Sequence, residues 1–408
     1  MKLSEELKWR GYINQTTLKD IAYLDDNKLT FYWGVDPSAS SMTVGQLSLI
    51  MMIRLFIKAG HKPVLLVGGA TGLIGDPDGK TQERDLKTSE EINYNVQSIT
   101  SQYERLFNSE KITVVNNYDW FKNFGYLDFL RKVGKHVPMR QMLGREFVQS
   151  RLSENGAGIS YAEFSYSLIQ GYDFLHLYEE LGVTLQVCGA DQWGNCIAGV
   201  DLVRRIKGGE AHIWSAPLVI NKSTGIKFGK TEEGAIWLDE KQTSPYNFYQ
   251  FWFNSDDDSV LDYLKLYTLT EKNEYDELIT KFNNDRGSRI AQKTLAYEVT
   301  KIVHGEKIAN AIIAANEILF GKKDFDTLSN DEVDQIKNIL PNYDVQDNLL
   351  DTIVNSGLAK SKTEAMTFVV DGAIRLNGEK ITDASFAIKN SVNLLQRGKN
   401  LFSVVVKK

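Results

Sequence analysis

Pro63-Val-Leu-Leu-Val67 runs directly into Gly68-Gly-Ala-Thr-Gly-Leu-Ile-Gly-Asp-Pro77. A short unbroken apolar run closed by glycines reads as a strand buried on both faces, of the kind parallel sheets use. The same grammar repeats on either side. Phe31-Tyr-Trp-Gly-Val35 is a second apolar strand, broken by Asp36-Pro37-Ser38, and a helix is predicted over 44–59, stopped by Gly60. Strands are also predicted over 112–115 and 183–187, the latter followed by Gly189-Ala-Asp-Gln-Trp-Gly194 and a helix to about residue 205. Strands alternating with helices, with glycine-rich turns at strand ends, predict an α/β domain built on a Rossmann-like parallel sheet. Ligands of such sheets lie beyond the carboxyl ends of the strands. Asp36, Asp76, Asp191 and Gln192 all follow strands and are expected to converge there.

Glu163-Phe-Ser-Tyr-Ser-Leu-Ile-Gln-Gly-Tyr-Asp-Phe-Leu175 reads as a helix. Tyr166, Gln170 and Asp173 stand at i, i+4 and i+7 and share one face, while Phe164, Leu168, Ile169, Phe174 and Leu175 are apolar. A polar stripe on a buried helix needs partners, either protein groups or a polar ligand.

The chain has 408 residues, 42% of them hydrophobic and 25% charged, enough for two or three soluble domains. Its two cysteines, Cys188 and Cys196, have no metal-ligand spacing, which predicts a reducing, cytoplasmic setting and no resident metal. The start, Met-Lys-Leu-Ser-Glu-Glu, is neither a secretory nor a transit signal, and the most apolar run, 47–57, is short and carries Arg54, so no membrane span is expected. Residues 232–345 hold 22 acidic against 12 basic side chains, whereas 384–408 hold 5 basic and none acidic. A basic tail behind an acidic middle suggests a local RNA contact, or simply a solvated terminus.

Past residue 220 the pattern changes. Lys227-Phe-Gly-Lys-Thr231 is a loop whose paired lysines suit phosphate and whose Gly229 lets it move and approach a ligand. From 244 to about 319 the chain is helical and acidic, and then polar. The expected organisation is a catalytic domain over 1–225, a loop and α-helical domain over 226–325, a linker over 326–345, and a small α+β RNA-binding domain over 346–408. Gly69-Ala-Thr-Gly72-Leu-Ile-Gly75 also matches the GxxGxxG of nicotinamide-dependent dehydrogenases. The polar, proline-containing sequence after it is a poor start for a crossover helix, and neither YxxxK string has a well-placed serine before it.

Taken together, Tyr32-Trp-Gly-Val-Asp-Pro37, the glycine run over 68–77, Asn117-Tyr-Asp-Trp120, the 163–174 helix, Gly189-Ala-Asp-Gln-Trp-Gly-Asn195 and Lys227-Phe-Gly-Lys-Thr231 resemble bacterial tyrosyl-tRNA synthetases, of the class I aminoacyl-tRNA synthetases. The likeness covers nearly the whole chain in order, and residues 354–380 resemble the RNA-binding module these enzymes share with a small-subunit ribosomal protein. It implies activation of L-tyrosine with ATP and Mg²⁺ to tyrosyl-adenylate, transfer to tRNA(Tyr), and a homodimer. By position, Tyr32 and Asp173 match the pair that holds the phenolic hydroxyl. Asp76, Tyr166 and Gln170 match the binders of the α-ammonium group, and Asp36 and Gln192 match nearby supports of the reacting groups. Asp191 matches the ribose contact, Lys80 and Arg84 phosphate contacts, and Lys227, Lys230 and Thr231 the family's mobile lysine loop. The HIGH-type signature reads Thr43-Val-Gly-Gln46 here, without histidine. Gly45 would admit the ATP base beside Gln46, and Thr43 or Ser38 would donate one hydroxyl in place of the missing histidine. A tryptophan-activating relative is the neighbouring reading, against which Tyr32 with Asp173 favours a phenol. A weakened paralogue that binds tyrosine or structured RNA is the other.

Overall fold

The computed structural model describes residues 1–407 except 78–85, 108–109, 154, 222–224, 226–227, 232–233, 321–324 and 399–400; at 146, 147, 230 and 231 it describes the backbone alone. The chain forms two compact units, residues 1–236 with 262–270, and 237–261 with 271–408.

The first unit is built on a six-stranded sheet: β1 (Gln15–Thr16), β2 (Thr30–Val35), β3 (Lys62–Val67), β4 (Thr113–Asn116), β5 (Val183–Gly189) and β6 (His212–Ala216). The spatial order is β1-β6-β5-β2-β3-β4. Every neighbour is parallel except β1, a short antiparallel edge on β6. From β2 the chain winds out through β3 to β4, then returns to lay β5 against the other side of β2. The crevice at that reversal, between the ends of β2 and β5, is where such sheets take ligands. The strands predicted at 31–35, 63–67, 112–115 and 183–187 are β2 to β5. Sequence reading missed β6, because His-Ile-Trp-Ser-Ala breaks its apolar run with polar residues. Tertiary contacts make it a strand: Trp214 is buried and donates its indole N–H to Tyr12 O at 2.9 Å.

The sheet is covered on both faces. On one, the helix Val44–Lys58 buries Leu47, Ile50, Met51, Ile53 and Phe56, with the Phe56 ring 5.2 Å from Phe31. On the other, Tyr161–Leu181 and Trp193–Lys207 share a core with Tyr32, Val64 and Leu66. Gly171 brings these two helices together, since a Cβ there would lie 3.1 Å from Leu202 Cδ1.

His61 ties 24–29 to β3. Its Nδ1 accepts from the Leu29 amide at 3.1 Å, so Nε2 carries the proton facing Leu24 O at 3.1 Å. Burial, aided by the Lys28 charge, lowers its pKa to about 4. The native state therefore binds fewer protons than the unfolded chain between pH 4 and 6.5. This contribution is fully present above pH 6.5 and lost as pH falls toward 4, an effect of about 3 kcal/mol. Urea unfolding at pH 7 and pH 5 reads the slope, and an imidazole titrating near 6.5 by NMR would remove its basis.

The second unit holds the helices Pro245–Phe253, Lys272–Asn284, Ile290–His304 and Glu306–Leu319, then a five-stranded sheet with helices Leu349–Asn355 and Lys362–Val370 around one apolar core. The 326–345 linker expectation is corrected here. Ser329 caps a helix, Asn330–Ile339, through a capping box with Glu332, and Asn342–Asp344 joins the C-terminal sheet parallel to Leu401–Val406. Its polar composition hid an amphipathic helix.

Candidate active site

The strand ends and the polar helix face enclose one cavity of about 370 Å³. Tyr32, Asp36, Ser38, Thr43, Gly45, Gln46, Asp76, Tyr166, Gln170, Asp173, Asp191 and Gln192 all line it, so the structure brings these twelve expected residues together. Lys80, Arg84 and Lys227 lie outside the described residues, as do the side chains of Lys230 and Thr231.

At the deep end Asp173 is 2% exposed. One of its oxygens accepts from Trp120 Nε1 at 2.9 Å and the other from Asn117 Nδ2 at 3.1 Å. Burial dominates over these two neutral donors and pushes its pKa up to about 8. Tyr32, on β2, is buried beside it, and desolvation raises its pKa well above that of a free phenol. Its hydroxyl has no hydrogen-bond partner among the described residues. Neither do Gln170 Oε1 and Gln186 Oε1, both buried in this cavity's wall. Unpaired buried polar atoms cost about 1–3 kcal/mol each, and three on one cavity make a template for a polar ligand.

Nearer the mouth, Asp36 accepts from Thr71 Oγ1 at 2.6 Å and from Tyr166 Oη at 2.7 Å. Asn117 also reaches Thr71 Oγ1 at 3.1 Å, so hydrogen bonds run unbroken from Asp173 through Asn117, Thr71 and Asp36 to Tyr166. Asp76 accepts from Gln192 Nε2 at 2.7 Å. Three carboxylates, Asp36, Asp76 and Asp191, face a cavity that no described Lys or Arg lines. Such a wall favours a ligand that brings its own cation.

The glycine run serves protein contacts. A Cβ on Gly68 would sit 2.2 Å from both Asp36 Oδ1 and Thr71 Oγ1, and one on Gly69 2.4 Å from Asn116 Oδ1. These glycines let polar side chains crowd the strand end, a different use from pyrophosphate approach. Gly68→Ala is expected to displace Asp36 and raise the KM for the substrate held against Asp36 about tenfold or more, while the KM for a co-substrate held beside Gly45 stays within about twofold. Equal shifts in both, read from initial rates, would count against this.

Elsewhere on the cavity wall Thr43 caps the helix Val44–Lys58. Its amide donates to Gln46 Oε1 at 2.8 Å and its hydroxyl to the same oxygen at 3.2 Å. The hydroxyl expected to face a phosphate is thus turned onto the cap. At Gly45 a Cβ would make only ordinary contacts, 3.5 Å from Thr43 Oγ1 and 3.7 Å from Phe228 O, so the protein itself does not require glycine there. Of the loop over 227–231, Phe228 and Gly229 are seated against the start of this helix. Phe228 is buried, with its ring 4.3 Å from Tyr263 and 5.7 Å from Tyr267, and Gly229 adopts φ +86° with its backbone against Val44. Lys230 and Thr231 then pair with Ala235 and Gly234 in a small hairpin.

Sequence reasoning assigned no role to Asn117, Trp120, Thr71, Gln186 or Asn195. Asn117 carried a usable signal, since it is the first residue past β4, as Asp36 is past β2. Trp120 and Gln186 carried none, because an apolar ring and a mid-strand amide look like core.

Residues 24–321 match the family model of tRNA synthetases class I (W and Y), and residues 332–405 match the tyrosine–tRNA ligase SYY-like C-terminal domain. The chain belongs to that family. Within it, the chain is 42% identical to the tyrosine–tRNA ligases of Limosilactobacillus fermentum and of Listeria welshimeri, with 99% of this chain and 99% of each relative covered. Among solved structures it is similar to a C-terminally truncated mitochondrial tyrosyl-tRNA synthetase of Aspergillus nidulans, with TM-score 0.70 and 30% identity, covering 78% of this chain and 94% of that one.

Proposed function

We infer that the chain is a tyrosine–tRNA ligase, which activates L-tyrosine with ATP and passes it to tRNA(Tyr). The observation that carries this reading is the buried, unpartnered Tyr32 hydroxyl beside the Asp173 carboxyl at the closed end of the cavity. A para-hydroxyl satisfies both. Asp76, Tyr166 and Gln170 take the ammonium group, with Asp36 and Gln192 holding them in place. Ser38, Gly45, Gln46, Asp191 and Arg84 bind ATP, which enters with Mg²⁺.

The tyrosine carboxylate attacks the α-phosphorus in line and expels pyrophosphate. The nucleophile is already charged, so no general base is needed, and the rate comes from alignment and charge stabilisation. Lys227, Lys230, Thr231 and Lys80 offset the charge building on the leaving group. Thr43 contributes less, since its hydroxyl already serves the helix cap. The terminal ribose hydroxyl of tRNA then attacks the adenylate. Residues 1–225 perform the chemistry, while the helical region over 226–325 and the basic unit over 346–408 hold the tRNA. Tyr126, Leu127, Met139, Leu152 and Tyr161 are all more than half exposed; clustered between 126 and 161, they support a homodimer that covers them. No described helix is long and apolar enough to cross a membrane, and both cysteines are free, in keeping with a cytoplasmic enzyme.

ATP–pyrophosphate exchange tests this. Tyrosine is expected to drive it and tryptophan to fail. The missing signature histidines and the engaged Thr43 hydroxyl favour one competing reading, a paralogue that binds tyrosine without activating it. Tyrosine binding with no exchange would establish that reading instead.

A further inference from the structure

Arg145 stands outside the cavity, at the junction of the short helices Met139–Leu143 and Glu146–Leu152. Its Nη2 donates to Asn195 Oδ1 at 2.7 Å. Asn195 is 1% exposed. Its Nδ2 turns the other way, 3.4 Å from Asp76 Oδ1 and 3.3 Å from Gln192 Oε1. Gln192 in turn donates to Asp76 Oδ2 at 2.7 Å.

A carboxamide has one accepting end and one donating end, and a guanidinium can only donate. While Arg145 is present, the Asn195 oxygen must face it, and the amide nitrogen must therefore face Asp76. Flipping the amide would set its oxygen against the Asp76 carboxylate and leave a buried donor against the guanidinium. The room for Arg145 is also specified. A Cβ on residue 194 would lie 2.7 Å from Arg145 Nη2, so glycine there is what lets the guanidinium reach Asn195.

We propose that Arg145 is a positioning residue for the ammonium subsite: it locks the Asn195 amide so that Asn195 and Gln192 together present Asp76 to the substrate's α-ammonium group. The proposal rests on the tyrosine reading above and assigns a cationic side chain on a separate segment to a subsite it never touches. It also has a ligand signature. Only substrates with an α-ammonium group depend on Asp76, so only they sense the loss of Arg145.

The test compares L-tyrosine with 3-(4-hydroxyphenyl)propionate, which keeps the phenol and carboxylate but lacks the ammonium group. In Arg145→Ala, tyrosine is expected to bind about tenfold more weakly, the scale of one charge-assisted hydrogen bond, while the affinity of the propionate and the KM for ATP stay within about twofold. Arg145→Lys should recover most of the loss, and Gly194→Ala should reproduce it by displacing the guanidinium. Equal weakening of both ligands would show a general structural role and overturn the proposal, as would wild-type tyrosine affinity in Arg145→Ala. If the wild-type protein itself binds neither phenolic ligand, the tyrosine reading fails and the inference falls with it. If the wild type binds both and the variants match it, the inference fails alone.

Discussion

Asp173→Asn is expected to lower kcat/KM for tyrosine activation by roughly 10- to 100-fold, the cost of replacing the carboxyl that meets the substrate hydroxyl and leaving that hydroxyl imperfectly paired in a dry site. The exchange assay at saturating ATP measures it. Folding should not suffer in parallel. Asp173 is fully buried, its donors among the described residues, Asn117 and Trp120, are neutral, and its pKa is pushed up to about 8 from an ordinary 3.8. A raised folded-state pKa means the native protein binds more protons than the unfolded chain between those values. Wild-type stability from this group is present below pH 3.8 and declines as pH rises to about 8. The asparagine variant lacks that decline, so at pH 9 it should unfold at the same or higher denaturant concentration than the wild type. Near-normal tyrosine kinetics in Asp173→Asn would remove the group from the phenol subsite.

Lys230→Ala is expected to slow adenylate formation about 100-fold while tyrosine affinity stays within about twofold. The effect size is that of losing one transition-state contact to developing charge. The hairpin and the buried Phe228 fix where the loop emerges, beside Gly45 and the start of the Val44–Lys58 helix. Tyr32 and Asp173 lie at the other end of the cavity, so ground-state tyrosine binding has no reason to sense Lys230. Pre-steady-state rates separate the two quantities, and a large loss of tyrosine affinity would move the loop's role away from the phosphates.

The parallel sheet was legible because four of its strands are largely apolar runs closed by glycine, aspartate or asparagine, which fixes their type locally. His212–Ala216 was not, since its strand character comes from burial of Trp214 between neighbours rather than from its own pattern. The helix Asn330–Ile339 was hidden by polarity, although its capping box was written in Ser329 and Glu332. For the site, the i, i+4, i+7 stripe on the Tyr161–Leu181 helix and the polar residues after β2, β3 and β5 pointed to seven of the twelve residues on the cavity, and resemblance added Tyr32, Ser38, Thr43, Gly45 and Gln46. Resemblance supplied their individual roles, for spacing shows which face a residue occupies and not which ligand atom it meets. What stayed hidden were the supports Trp120 and Asn195, while Asn117 was marked by its place just past β4. They act through other side chains, and no periodicity marks a residue whose partner is distant in sequence.

The central claim is that Tyr32 and Asp173 read a para-hydroxyl. The direct measurement is the ratio of kcat/KM for tyrosine over phenylalanine in pyrophosphate exchange, in the wild type and in Tyr32→Phe. Phenylalanine leaves the buried Tyr32 hydroxyl unpaired and takes one partner from Asp173, at about 1–3 kcal/mol each, so the wild-type ratio should be at least roughly 30 and as high as tens of thousands, falling several-fold in Tyr32→Phe. A wild-type ratio below about 10, or one that Tyr32→Phe leaves unchanged, would contradict it.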